Sequence, residues 1–231
     1  MIVAVTGSRR GLGRSLAEHF LAAGAWVYGC SREPSDLTHA RYVHTDMDVT
    51  DERAVKEFFR AIRKDHDRLD VLVNNAGTAV MNHVLLTPRE TLSRLVEVNL
   101  VGTFLCSREA VKLLKKSDHG RIVTLSSIVV PLRLPGAAAY AASKSAVESL
   151  MQTMSKELAP LGITVNTVGP TPVPTALART VPKEALDQVV AQQAIKRLGT
   201  AEDVINVVDF FVRPESDFVT GQTIYLGGVC A

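Results

Sequence analysis

The chain has 231 residues, 46% of them hydrophobic, with 26 Lys and Arg against 24 Asp and Glu and a formal net charge of +2. That length suits one well-cored domain, and so even a charge balance excludes the basic footprint of a nucleic-acid or membrane-surface binder. No apolar run approaches a membrane span, and Cys30, Cys106 and Cys230 are too widely spaced for a disulfide framework.

Three lone cysteines fit a reducing cytoplasm, and six singly scattered histidines give no metal-ligand spacing. The chain enters a strand at residue 2 with no basic leader, so no signal peptide is expected. Residues 2–5 are apolar. They lead into Thr6, Gly7, Ser8, Arg9, Arg10, Gly11, Leu12 and Gly13, then the helical pattern Leu16, Ala17, Phe20, Leu21. Strand, glycine turn and helix in that order form a phosphate-binding unit, because glycine lets the backbone turn tightly and approach a pyrophosphate. The spacing is Gly-x-x-x-Gly-x-Gly, not the commonest dinucleotide fingerprint. Residues 26–30 read as the second strand. An acid at its end would hydrogen-bond the ribose hydroxyls of NAD. Here Ser31 and Arg32 follow, and Arg10 adds a second cation, which favours NADP(H) over NAD(H) by charge. The competing reading makes Arg32 a solvated loop residue and lets Asp36 reach a ribose.

Residues 42–49 predict a third strand, and Thr50 an N-cap with Asp51 and Glu52 in the first turn of a helix. Val55, Phe58, Phe59 and Ile62 give that helix a core face. Residues 69–73 are the fourth strand, ending in Asn74-Asn75-Ala76-Gly77, which can order a turn beside a cofactor. Thr87-Pro88-Arg89-Glu90 predicts a capping box and a helix towards Lys116. Asn99 sits in an apolar stretch of that helix, so its amide either points outward or holds a specific partner. Residues 121–125 read as a buried strand ending at Ser126 and Ser127, and residues 137–158 as a helix. On that helix Tyr140 and Lys144 are one turn apart on one face. A free phenol, with a pKa of about 10, is a poor acid or base at neutral pH, and a nearby ammonium lowers it. The pair can therefore act as a general acid/base, with the Ser127 hydroxyl holding a carbonyl oxygen. Alone, the spacing also fits a packed ring and a solvated amine.

Residues 163–168 form a sixth strand, 169–175 break regularity, and the segment at about 174–196 is expected to form a substrate lid. Thr200 starts another helix and 223–226 make a last strand. Seven strands alternating with helices imply an α/β fold: a doubly wound seven-stranded parallel sheet, Rossmann-like, in a single domain spanning 1–231.

With these motifs in this order, the chain resembles the single-domain members of the short-chain dehydrogenase/reductase family over nearly its whole length. Thr6, Gly7, Gly11 and Gly13 match the family's glycine turn, and Asn74 to Gly77 its Asn-Asn-Ala-Gly. Its Asn, Ser, Tyr and Lys fall on Asn99, Ser127, Tyr140 and Lys144, its adenine-bordering Asp-Val on Asp48 and Val49, and its carboxamide-binding run on Pro170, Val173 and Thr175. Arg197-Leu198-Gly199 and Gly221-Gln222 resemble its C-terminal motifs. Thr171, Val130 and Gly227 depart from the pattern, Thr171 and Val130 from a usual Gly and Gly227 from an Asp.

The resemblance implies hydride transfer between a nicotinamide and a carbonyl or alcohol carbon. Tyr140 would be the acid, Lys144 would lower its pKa and bind the ribose, Ser127 would hold the substrate oxygen, and Asn99 a water. Cofactor contacts are implied for Gly7, Ser8, Arg9, Arg10, Gly11, Leu12, Gly13, Ser31, Arg32, Asp48, Val49, Asn75, Ala76, Gly77, Asn99, Tyr140, Lys144, Pro170, Val173 and Thr175. The expected function is NADPH-dependent reduction of a ketone or 3-oxoacyl group. An NAD-dependent alcohol or sugar dehydrogenase is the alternative, and a non-catalytic dinucleotide-binding regulator stands behind both. A homodimer or homotetramer is implied, with Val111, Leu114, Val147, Leu150 and Met154 serving either that interface or the core.

Overall fold

The computed structural model describes residues 1–174 and 183–229. Seven strands form one parallel sheet in the order β3-β2-β1-β4-β5-β6-β7. They are β1 (Ile2–Thr6), β2 (Trp26–Ser31), β3 (Tyr42–Asp46), β4 (Val71–Asn74), β5 (Gly120–Leu125), β6 (Ile163–Gly169) and β7 (Thr223–Tyr225). The chain winds outward from β1 to β3, then returns to place β4 on the other side of β1, so a crevice opens above the β1/β4 boundary.

Strands β1, β4, β5 and β6 are buried along their whole length, as expected of a parallel sheet covered on both faces. Alternation along β1 divides the core. Ile2 and Ala4 pack with Phe58, Ile62, Leu114 and Val147, whereas Val3 and Val5 pack with Leu16, Phe20, Val208 and Phe211. The first layer is built by α2 (Glu52–His66), α4 (Gly102–Leu114) and α6 (Ala138–Leu158), the second by α1 (Gly11–Ala22) and α8 (Ala201–Val212). Each fully buried aliphatic or phenyl side chain contributes roughly 1.5–3 kcal/mol by leaving water. Leu114, Val147 and Met154 belong to this core, and Val111 and Leu150 pack against it. No described helix is long and apolar enough to cross a membrane.

Several expected boundaries move for local reasons. The N-cap of α2 is Asp51, not Thr50: the Asp51 carboxylate accepts from the N–H groups of Arg53 and Ala54 at 2.9 and 3.1 Å. Thr50 is drawn instead to Asp48, whose carboxylate accepts its N–H and its hydroxyl, both at 2.9 Å. That turn also ends β3 at Asp46. Thr87 does not cap a helix, because its hydroxyl donates backward to His83 O at 3.1 Å; α3 (Arg89–Val96) starts behind Pro88 without a side-chain cap. The single helix expected to run towards Lys116 is α3, a π-helical turn over Glu97–Val101 and α4. A short helix α5 (Val129–Leu132) follows β5. Of the expected lid, residues 175–182 lie outside the described residues, and α7 (Lys183–Gln192) is helical. The start of α8 is a full capping box between Thr200 and Asp203.

Candidate active site

The site forms where the C-terminal ends of β1, β4 and β5 meet the turns that follow them. The Thr6 hydroxyl oxygen, at the end of β1, accepts the N–H groups of Asn75 and Ala76, both at 3.0 Å. In return the Asn75 amide donates to the carbonyls of Thr6 (2.8 Å) and Gly7 (3.1 Å). The glycine turn and the turn after β4 are therefore one stitched unit. A Cβ on Gly13 would lie 2.2 Å from the Gly7 carbonyl oxygen, so α1 reaches this unit only because residue 13 has no side chain. Arg10 is the N-cap of α1 and makes no side-chain cap bond. The first-turn N–H groups are thus available to an anion, on a floor that a side chain would fill, and this fits a dinucleotide pyrophosphate.

Arg9, Arg10, Ser31, Arg32, Asp48, Val49 and the turn from Asn75 to Gly77 line one cavity. Its four arginines, Arg94 among them, differ in availability. Arg9 pairs with Glu33 at 2.8 Å and donates to Pro34 O at 3.0 Å. Arg10 and Arg32 are exposed and have no partner among the described residues. Asp36 pairs with Arg14 at 2.5 Å.

A polar chain unforeseen in the sequence runs beneath this cavity. Ser31 donates to Glu33 O at 2.6 Å, so His44 Nε2, 3.0 Å from Ser31 Oγ, must carry the proton there. His44 Nδ1 then accepts from Tyr42, at 2.9 Å, and Tyr42 accepts from the buried Ser8, also at 2.9 Å. The donor directions run one way from the glycine turn to His44. The signal available in the sequence was that Tyr42 and His44, two apart on a strand, share a face.

Ser127, Tyr140, Lys144, Pro170 and Val173 line a second cavity, which shares Leu12, Asn75, Gly77 and Thr78 with the first. Tyr140 stands in the first turn of α6 and Lys144 one turn on. Lys144 is buried, and its ammonium donates to Leu125 O at 2.7 Å. Burial lowers it from its ordinary 10.5 to about 8, with Glu148 opposing. Burial pushes the Tyr140 phenol up, and the opposing influence is a hydrogen bond with Ser127. In this arrangement Lys144 bonds to the strand, and the hydrogen bond with Ser127 is the influence that opposes the upward push on Tyr140. Ser127 Oγ also accepts the Val129 N–H at 3.2 Å.

Asn99, in the π-helical turn, is fully buried beneath both cavities. Its carbonyl oxygen accepts Thr78 N–H at 2.8 Å, and its amide nitrogen donates to Thr78 O at 2.9 Å and to Ser143 Oγ at 3.0 Å. Ser143 in turn donates to Tyr140 O at 2.8 Å. Ser8 and Gly13 are likewise buried, beneath the linings, and Thr175 lies outside the described residues. Thr171 fits where a glycine was expected because residue 199 is glycine: a Cβ there would lie 2.5 Å from Thr171 Cγ2. The wall facing Tyr140 is apolar, built from Met81, Ile128, Leu134, Leu186 and Val189.

Comparison with known proteins matches this geometry to relatives. Residues 7–228 match the family model described as enoyl-(acyl carrier protein) reductase. The chain is 33% identical over 233 residues to the 3-oxoacyl-[acyl-carrier-protein] reductase of Escherichia coli (strain K12), covering 98% of this chain and 96% of that one. It is 32% identical over 253 residues to NADPH-dependent aldehyde reductase 2, chloroplastic, of Arabidopsis thaliana, covering 99% and 93%. Among solved structures, a Serratia marcescens short-chain dehydrogenase/reductase mutant superposes with a TM-score of 0.90 at 30% identity, over 100% of this chain and 98% of that one. Matches that run from end to end in both sequence and structure establish that the chain belongs to the short-chain dehydrogenase/reductase family and is an NAD(P)-dependent oxidoreductase.

Proposed function

We propose that the protein reduces a ketone or 3-oxoacyl carbonyl with NADPH, and that Tyr140 is the general acid. The observation that carries this reading is the junction of two cavities: one with the guanidinium groups of Arg10, Arg32 and Arg94, unpaired among the described residues, the other apolar with Ser127, Tyr140 and Lys144 in its wall. Arg10 and Arg32 are free to take a 2′-phosphate, which supports NADPH over NADH. The E. coli relative is named for 3-oxoacyl groups and the A. thaliana relative for NADPH, and both names support the assignment.

When bound, the reduced nicotinamide supplies a hydride to the carbonyl carbon. The carbonyl oxygen, becoming an alcohol, takes the phenolic proton of Tyr140. A phenol pushed up by burial still holds that proton at neutral pH, as an acid must. Ser127 donates a hydrogen bond to the same oxygen and stabilises the charge that develops on it. Lys144 offers an ammonium to the phenolate left behind and to the ribose. The apolar wall leaves Lys144 as the one cation lining this cavity among the described residues, so the groups flanking the carbonyl are apolar. We also infer a homodimer or homotetramer, supported by Phe104, exposed on α4; light scattering tests it.

The test is NADPH consumption with a panel of apolar ketones, 3-oxoacyl thioesters and sugars. Turnover of the first two classes is expected. Tyr140→Phe should lose roughly 100- to 10,000-fold in kcat while NADPH still binds. Wild-type-like turnover in that variant would remove the acid assignment, and tighter binding of NADH than of NADPH would remove the cofactor assignment.

A further inference from the structure

Glu148 lies one turn beyond Lys144 on the same face of α6 and is 8% exposed. Both of its oxygens are engaged. One accepts a hydrogen bond from the hydroxyl of Ser126, the residue before Ser127. The other accepts from the phenol of Tyr225, on β7, at 2.6 Å. Neither hydroxyl has another acceptor among the described residues. A neutral carboxyl would have to donate to one of them, leaving that hydroxyl's own proton without a partner, so the arrangement is that of a carboxylate.

Lys144 is the cation that acts on it. The two make no direct ion pair among the described residues, because the ammonium is bonded to Leu125 O on β5. Burial disfavours both charges, and each opposes that effect on the other. The other titratable groups facing the pair are Tyr140 on α6 and Tyr225 on β7. The π-helical turn brings the Asn99 amide, and β5 and its end bring the Leu125 carbonyl and the Ser126 hydroxyl.

We propose that Glu148 is a positioning residue for the reduction: through Ser126 and Tyr225 it braces the strand end that carries Ser127 against β7, and its negative charge keeps Lys144 an ammonium. This rests on the reductase reading above. The relay is electrostatic, and no proton leaves Glu148.

Glu148→Gln removes the charge at nearly constant volume. Two quantities are measured against pH: kcat/KM for ketone reduction by NADPH, and the titration of the Lys144 Cε resonance in lysine-labelled protein, assigned by its loss in Lys144→Met. Lys144 is expected to titrate about one pH unit lower or more, and the alkaline limb of kcat/KM to follow it. The wild-type-to-variant activity ratio then grows about tenfold for each unit of that displacement. Loss of the brace alone would lower activity by the same factor at every pH. Tyr225→Phe loses a brace but keeps the charge, so its alkaline limb does not move downward. If the glutamine variant does not fold, Glu148→Met, which buries no amide, carries the same expectation. An unmoved lysine titration in a folded charge-removed variant overturns the proposal. Should the wild type reduce no ketone, the reductase reading fails, and the lysine titration still decides whether Glu148 sets its charge.

Discussion

Replacing Asn99 by Ala tests whether this buried amide is a structural pin rather than only a water holder. Its orientation is not arbitrary: Thr78 N–H must meet the amide oxygen and Thr78 O the amide nitrogen. The alanine variant loses both of those bonds and the one to Ser143. At about 1 kcal/mol net for each, the loss is about 3 kcal/mol. For a chain of this size that corresponds to a fall in Tm of roughly 6–12 °C. The same bonds hold the turn containing Gly77, which lines both cavities, and through Ser143 the carbonyl of Tyr140. A displacement of about 1 Å between reacting groups costs about 100-fold, so kcat/KM should fall by that order. Scanning calorimetry and steady-state kinetics on the same preparation check both numbers. A Tm within about 2 °C of wild type would refute the pin, since three buried bonds of ordinary strength cannot vanish at that cost.

Other outcomes follow from single contacts. Arg10→Ala and Arg32→Ala should each weaken NADPH binding by roughly tenfold, the low end for a charge-assisted bond because both are exposed, with NADH affected far less. Calorimetric titration of both cofactors reads this, and equal losses would show that neither arginine meets the 2′-phosphate. Gly13→Ala sets a methyl 2.2 Å from a backbone oxygen, so NADPH binding should fall at least 100-fold by fluorescence titration; an unchanged affinity would mean that α1 can retreat freely. Burial pushes the Cys30 thiol up to about 12. The unfolded chain ionises this thiol near its ordinary pKa and the folded chain does not, so stability falls as pH rises from about 9 towards 12. Denaturant titrations should therefore show a shallower alkaline decline for Cys30→Ala, and parallel curves would contradict the burial argument.

The parallel sheet could be read from the sequence because its central strands are buried on both faces and so carry uninterrupted apolar residues. The glycine turn and the Tyr140–Lys144 pair could be read because each is a local spacing rule. What escaped was nonlocal or competitive. Thr50 and Thr87 both look like caps, but each hydroxyl has a nearer acceptor, Asp48 or His83 O, which the helix start cannot outbid. The partner of Asn99 is a backbone 21 residues earlier, and nothing in residues 97–101 announces a π-helical turn. Glu148 sits at the same i+4 spacing from Lys144 that Lys144 has from Tyr140. The residue that makes it informative, Tyr225, is 77 positions away. Asp36 looked as available as Arg32 beyond β2, and nothing local announced that Arg14, one turn into α1, pairs with its carboxylate.

Lys144, Ser127 and Asn99 are each held by main chain, and this separates what the fold fixes from what it leaves open. Lys144 is tied to Leu125 O, Ser127 to Val129 N–H, Asn99 to both polar groups of Thr78, and Ser143 to Tyr140 O. Proline apart, substitution leaves a backbone partner in place, so these anchors are set by β5, by α5 and by the turn after β4. The walls around the carbonyl are held differently. Met81 lines the cavity from a segment joined to the α6 entrance by the bond from Asn82 N–H to Gly136 O at 2.8 Å, and Val84, Leu85 and Leu86, which follow it outside the lining, are 65%, 85% and 75% exposed. Leu186 and Val189 reach the cavity from α7, outside the sheet. Met81, Leu186 and Val189 take part in none of the hydrogen bonds that hold Lys144, Ser127 and Asn99. Exchanging Leu186 or Met81 for smaller residues should therefore alter KM among ketones of different bulk and leave the alkaline limb of the pH profile in place, whereas any change that frees Leu125 O must disturb both.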